Sequence, residues 1–283
     1  MSVQPSPSAP LHLPGDGPLV LLGCGNMGSA MLRGWLAAAL APGRIVVQEP
    51  QPSDDLAAML DAYGVQLTDA YAGPAPSVIL AAVKPQVMDE VFPPVAQHAT
   101  ADTLVVSVAA GRTLASFEAH LPDVTGVVRT IPNTPSAIGQ GMTVCVANAH
   151  VTAARREACT ALLQAIGAVG WVEDEALIDV ATGVSGSGPA YVFLMAEAMA
   201  AAGVKLGLPE PLAMQLAQQT IAGSGALMLA EMAAPDQLRR NVTSPNGTTA
   251  AALEVLMADS DGLAALMARG ITASADRSRA LAS

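Results

Sequence analysis

The 283-residue chain has little cysteine, little positive charge and no long apolar run. Its three cysteines, Cys24, Cys145 and Cys159, are too few and too scattered for a disulfide framework, and no Cys-x-x-Cys or Cys/His cluster suggests zinc or another metal. That usage fits a reducing cytoplasm. Thirteen Lys and Arg stand against 24 Asp and Glu, a net charge of −11, which argues against nucleic acid or an anionic lipid surface as the main partner. An acidic substrate must then be held by local basic groups or backbone N–H groups. A membrane-spanning helix needs about 20 consecutive apolar residues. The apolar runs here are short (Leu19–Leu22, Val78–Val83, Leu104–Ala110, Val192–Met195), so no span is expected despite a mean hydropathy of +0.43. Repeats are absent. The first 16 residues lack Lys, Arg and an apolar stretch, so they read as a loose tail and not a secretion signal.

What is present is an apolar, globular composition. Apolar residues make up 52% and charged residues 13%, which excludes a disordered chain, and the length suggests two domains. From Pro18 to about Glu173, short apolar runs alternate with helical stretches. Leu19–Leu22, Arg44–Gln48, Val78–Val83 and Leu104–Ala109 read as fully buried strands of a parallel sheet, with Val124–Arg129, Met142–Val146 and Val169–Val172 as further strands. Met27–Leu40, Asp54–Tyr63 capped by Ser53, and Thr152–Ile166 capped by Thr152 read as helices. This is the pattern of a doubly wound α/β domain. Beyond Glu173 strand signals stop, and Ala190–Ala202, Glu210–Met232, Asp236–Asn241, Thr248–Met257 and Gly262–Ala282 read as helices. The expected organisation is a disordered tail over 1–17, a dinucleotide-binding domain over 18–175 and an all-helical domain over 176–283. Helices with so few charges cannot hide every apolar stripe internally, and burial against a second copy is the natural solution.

Gly23-Cys24-Gly25-Asn26-Met27-Gly28 has the form G-x-G-x-x-G, between the strand ending at Leu22 and a helix. The first glycine permits a tight turn, the second lets backbone approach a pyrophosphate, and the third lets helix and strand pack closely. The helix start then offers N–H groups to phosphate. Glu49 closes the second strand, 26 residues after Gly23, near the usual place of the acid that binds a ribose 2′-hydroxyl. Asp54 and Asp55 follow without any Arg or Lys, so NADH is expected to serve at least as well as NADPH. Ala82-Val83-Lys84-Pro85 and Ala109-Ala110-Gly111 close two further strands at the carboxyl edge where ligands of such sheets bind. Small residues such as Ala110 leave room there for a nicotinamide ring.

Four stretches resemble signatures of the pyrroline-5-carboxylate reductases, in that family's order: Ala82–Pro85, Arg129-Thr130-Ile131-Pro132-Asn133-Thr134-Pro135, the run from Thr182 to Tyr191 (TGVSGSGPAY), and the run from Gln237 to Thr249 (QLRRNVTSPNGTT). The resemblance covers about Leu19 to Leu281. It implies reduction of the cyclic imine pyrroline-5-carboxylate to proline with NADPH or NADH, a dinucleotide domain, and a helical domain forming an interlocked homodimer, often assembled into a decamer. It also implies that substrate lies between the nicotinamide and the loop Ser244–Thr249. There Thr249 would hydrogen-bond the ring nitrogen, N–H groups of Gly247 and Thr248 would hold the carboxylate, and Asn241 would lie near the cofactor. Asn246 stands where the family loop usually has glycine, and asparagine tolerates positive φ better than other non-glycine residues.

Two other readings compete. A β-hydroxyacid dehydrogenase shares the two-domain plan and would match Gly183, Gly186 and Gly188, but its lysine position holds Val192, which cannot serve as a proton donor. A non-catalytic nucleotide-binding protein would need no Thr248-Thr249 loop. His12, His98, His120 and His150 each stand alone and read as surface residues.

Overall fold

The computed structural model describes residues 11–231 and 233–282. Its first compact unit runs to Gly186 and takes back the chain from Ser274, while Ser187–Ala273 forms the second unit. The first unit is built on one eight-stranded sheet of β1 (Leu19–Leu22), β2 (Ile45–Gln48), β3 (Gln66–Thr68), β4 (Val78–Ala81), β5 (Leu104–Ser107), β6 (Gly126–Ile131), β7 (Gly141–Ala147) and β8 (Gly167–Trp171), in the order β3-β2-β1-β4-β5-β6-β7-β8. β1, β2, β4, β5 and β6 are buried at every residue, as their continuous apolar runs require when helices cover both faces. Two apolar cores flank the sheet, one around Trp35, Leu21 and Leu163, the other around Phe92, Phe117 and Ile79.

The helices of this unit are α1 (Asn26–Ala37), α2 (Asp54–Tyr63), α3 (Met88–Ala96), α4 (Leu114–Glu118), α5 (Ala153–Gln164) and α6 (Ala176–Ala181). Ser53 caps α2 by accepting from the Leu56 N–H, and Thr152 caps α5 by accepting from the Arg155 N–H. α3 forms in spite of Pro93 and Pro94, which remove two N–H donors, because Met88, Phe92, Val95 and Ala96 bury one face of it.

One expectation needs correction, and two features go beyond the sequence reading. The sheet is not wholly parallel: β7 runs antiparallel to β6. The connection 132–140 is a short turn with Gly139 at φ 71°, too short for the crossover that a parallel pair demands. The tail expected over 1–17 is ordered from Leu11: Leu11 and Leu13 join the core, and the Gly15 and Gly17 carbonyls accept from Arg44. Residues 1–10 of that tail lie outside the described residues, as does Met232, the expected end of one helix. Finally, contact between residues places the division of the compact units at Gly186, past the expected 175, because α6 buries Ile178 in the second core and its Asp179 faces Arg129 of β6.

The second unit contains α7 (Gly188–Lys205), α8 (Glu210–Glu231), α9 (Pro235–Asn241), α10 (Thr248–Leu256) and most of α11 (Leu263–Ala282). Its own core is small: Ala200, Ala213 and Ala217, with Met214 against them. Phe193 is 61% exposed and Leu194 64%, and Val192, Leu212, Leu216, Leu227 and Met228 are also exposed in the single chain. Among the described residues, one helical stretch, Ala176–Lys205, is long and apolar enough to cross a membrane. It comprises α6, a π turn at Thr182–Gly186, and α7.

Candidate active site

Strand order reverses between β1 and β4, the switch point at which ligands of open α/β sheets bind. In register, Leu22 of β1 lies between Gln48 of β2 and Ala81 of β4. The loops that follow these strands therefore share one edge: Gly23–Gly28, Glu49, and Ala82–Pro85. Ala81 in turn pairs with Ser107 of β5, which brings Ala110 to the same edge. Every cofactor residue expected from the first unit is thus gathered there.

The three glycines differ in what a side chain would meet there. Gly23 has φ 79°, and a Cβ on it would stand 2.6 Å from the Val83 side chain. A Cβ on Gly25 would meet nothing within 4 Å, so this position faces open space. One on Gly28 would meet the Gly23 carbonyl oxygen at 2.5 Å, which is the close helix–strand approach. Gly25 is the N-cap of α1, with no side-chain cap and no acid in the first turn. This start, with Asn26 exposed and Met27 half-buried, suits a pyrophosphate. A dinucleotide therefore fits the residues present.

Glu49 does not point away from this loop. Its Oε2 accepts from the Cys24 N–H at 3.0 Å and its Oε1 from the Gln51 N–H at 3.3 Å, while its own N–H continues the ladder to Thr68. Burial pushes the Cys24 thiol pKa up, against a lowering hydrogen bond from Ser29. Lys84 is exposed, and the Pro85 carbonyl beside it accepts from Arg112 at 3.0 Å. Arg112 also pairs with Asp89 at 2.6 Å, which holds the Asp89 carboxyl below its ordinary range. Arg112 thereby ties the loop after β5 to the loop after β4, a role that no sequence motif announces.

The family-like stretches Arg129–Pro135 and Thr182–Tyr191 meet inside the first unit. The Asn133 side chain donates to the Ser185 carbonyl at 3.0 Å and accepts from the Met142 N–H at 2.8 Å. Buried Arg129 pairs with Glu175 at 2.9 Å and faces Asp179 at 3.6 Å. Glu175 also accepts from the Leu114 N–H at 2.9 Å, and Asp179 accepts from the Ser278 hydroxyl at 2.6 Å. Sequence reading noted Arg129 only as part of a motif; its acidic partners lie 46 and 50 residues away.

The remaining expected residues sit in the second unit. Ser244-Pro245-Asn246-Gly247 is a tight turn, closed by the Gly247 N–H on the Ser244 carbonyl at 3.1 Å. Asn246 has φ 59°, so it takes the left-handed conformation, with Pro245 before it as a type II turn favours. The expectation that the Gly247 N–H holds a carboxylate meets a competitor, since that donor is already engaged. Gly247 is the N-cap of α10 without a side-chain cap, and Thr248 and Thr249 form its first turn. Neither threonine is the N-cap, so capping does not account for their hydroxyls. Thr248 is exposed and Thr249 half-buried. Asn241 ends α9, and its side-chain oxygen accepts from Gln237 at 2.7 Å. Val192 is half-way up the exposure scale, at 41%, and brings no polar atom.

Two family models match: pyrroline-5-carboxylate reductase dimerisation over residues 175–281, and NADP oxidoreductase, coenzyme F420-dependent, over residues 18–111. Among curated relatives, a pyrroline-5-carboxylate reductase of Pseudomonas aeruginosa is 39% identical, over 93% of this chain and 96% of the relative. One of Escherichia coli is 36% identical, over 92% and 96%. Among solved structures, a pyrroline-5-carboxylate reductase from Coxiella burnetii superposes with TM-score 0.88 at 33% identity, covering 94% of this chain and 99% of that one. A Plasmodium falciparum pyrroline carboxylate reductase with NADP bound gives TM-score 0.76 at 26% identity, over 95% and 99%. With the dinucleotide edge, the Ser244–Thr249 turn and these matches together, the chain belongs to the pyrroline-5-carboxylate reductase family.

Proposed function

We propose that this chain reduces the cyclic imine 1-pyrroline-5-carboxylate to L-proline, using NADPH or NADH. The observation that carries this reading is the start of α10: an uncapped helix N-terminus, entered through a turn and followed by two threonine hydroxyls. Such a start offers N–H groups and a favourable dipole to a carboxylate. The dinucleotide supplies a hydride when bound, and the residues of the sheet unit that would hold it are Leu22–Gly28, Glu49, Ala82–Pro85 and Ala110.

The chain's own work is positioning. The Thr248 N–H donates to the substrate carboxylate, while Gly247 and Ser244 shape the turn that presents it. The Thr249 hydroxyl accepts from the protonated ring nitrogen and fixes which face of the ring is presented. Reduction at carbon leaves an amine and no alkoxide, so the site needs no side-chain acid, and the Ser244–Thr249 segment contains no titratable residue. Orientation of this kind is worth up to about 7–11 kcal/mol.

The helical region, proposed as 176–283, serves dimerisation, and the working form is a homodimer in the cytoplasm. The dimerisation match and the exposed apolar side chains of α7 and α8 support the dimer; three buried, unpaired cysteines fit a reducing compartment. Assembly of dimers into a decamer rests on the family resemblance. Following NAD(P)H absorbance with and without pyrroline-5-carboxylate tests the activity. Substrate-dependent oxidation is expected, and none with either nucleotide overturns the reading.

A further inference from the structure

We infer that Glu49 selects NADH against NADPH, because its carboxylate is fixed at the ribose end of the dinucleotide edge. The inference deepens the proposed dinucleotide binding and rests on it. A glutamate at a strand end could turn to solvent and leave room for a phosphate. This one is held on two sides, by the Cys24 N–H at 3.0 Å and the Gln51 N–H at 3.3 Å, and its backbone is pinned to β3 through the Thr68 carbonyl. One of its two anchors lies inside the glycine loop itself. The carboxylate therefore keeps its charge where the second strand ends, the position at which sheets of this kind read the adenine ribose.

The exposed Lys84 follows β4, on the other side of β1 from β2, and the arginines nearer to Glu49 do not offset it. Asp54 and Asp55 occupy the exposed first turn of α2, and the Ser53 hydroxyl is engaged as that helix's cap. Arg44 stands just before β2, at the opposite end of the strand, with its guanidinium on the Gly15 and Gly17 carbonyls at 2.7 Å. Arg33 lies seven residues into α1, about 10 Å along the helix from its start. At the Cys24 thiol, inside the loop, the charge of Glu49 acts more strongly than that of Arg33. A ribose with free hydroxyls can donate to the remaining lone pairs of Glu49, whereas a 2′-phosphate meets a like charge that cannot withdraw.

Calorimetric titration of NADH and NADPH into the whole protein, without substrate, tests this, using wild type and Glu49→Gln. Glutamine can still accept from the Cys24 N–H, so the loop anchor survives while the charge is lost. Wild type is expected to bind NADH at least about tenfold more tightly, a difference of about 1.4 kcal/mol. Glu49→Gln should shrink that ratio about tenfold, chiefly by strengthening NADPH binding. Tighter NADPH binding in wild type, or an unchanged ratio in a Glu49→Gln protein with the wild-type melting midpoint, overturns the inference. So does a variant that cannot fold, since the charge would then be structural. If the ratios hold but pyrroline-5-carboxylate drives no oxidation, the reductase reading fails and the selectivity stands. If neither nucleotide binds, both fall.

Discussion

The two compact units solve burial differently. In the first, every residue of five strands is buried, and large side chains such as Trp35, Phe92 and Phe117 are fully enclosed. In the second, three alanines form the core, and Leu229 is 80% exposed on α8. The first unit therefore completes its core within one chain. The second leaves exposed apolar side chains on α7 and α8, as a surface that meets a partner does. The glycine loop sits on the self-sufficient unit, and the Ser244–Thr249 turn on the one that needs a partner.

The largest effect should come from placing charge on the uncovered surface. Phe193→Asp is expected to yield monomer in sedimentation and to abolish reductase activity, while NADH still binds to the sheet unit. A dimeric, active Phe193→Asp protein would remove the contrast. Leu21→Ala, in a strand with no exposure, should cost about 2–5 kcal/mol at every protein concentration. Leu194→Ala should instead cost stability in proportion to how much of the protein is dimeric, so its melting midpoint should climb with concentration. Chemical denaturation at two concentrations separates these behaviours.

An effect of intermediate size is expected with alkali. Burial pushes the Cys145 thiol from an ordinary 9.0 up to about 12. Since the unfolded thiol ionises first, full stability holds below pH 9 and falls as pH rises toward 12, by up to about 4 kcal/mol. Cys145→Ala should flatten that alkaline loss in denaturation curves taken at pH 8, 9 and 10. A smaller effect belongs to the second unit: Thr249→Val should cost about 1–3 kcal/mol in kcat/KM, with nucleotide affinity little changed. A wild-type kcat/KM would remove Thr249 from the site.

The first unit was more legible in the sequence than the second, for a physical reason. Its central strands β1, β2, β4 and β5 carry apolar runs, with Gly23 ending β1, and Ser53 and Thr152 announce helices through a cap that acts over three residues. β3 escaped notice because its three residues, Gln66, Leu67 and Thr68, gain their conformation from pairing with β2 and carry no apolar run. The reversal at β7 also depends on the tertiary course of the chain and not on β7's own composition. At the glycine loop, spacing revealed the residues but could not show Glu49 bonded to Cys24, since that contact joins two separate strand ends. The helices of the second unit are legible from long stretches rich in Ala, Met and Leu with few charges. Which of their faces meets a partner is not written in that composition, because apolar residues are spread around α7 and α8.

The return of α11 to the first unit from Ser274 bears on the protein's synthesis. Ser278 reaches Asp179 across 99 residues, beside the buried Arg129, and the Leu281 carbonyl lies 3.1 Å from where a Gly111 Cβ would stand. While the ribosome is still making the helical unit, the sheet has its strands but lacks this last piece, and Asp179 waits without its hydroxyl partner. The nascent domain must then persist in a provisional state until α11 has been made. Losing the part of α11 from Ser274 onward would therefore damage the part of the molecule made first.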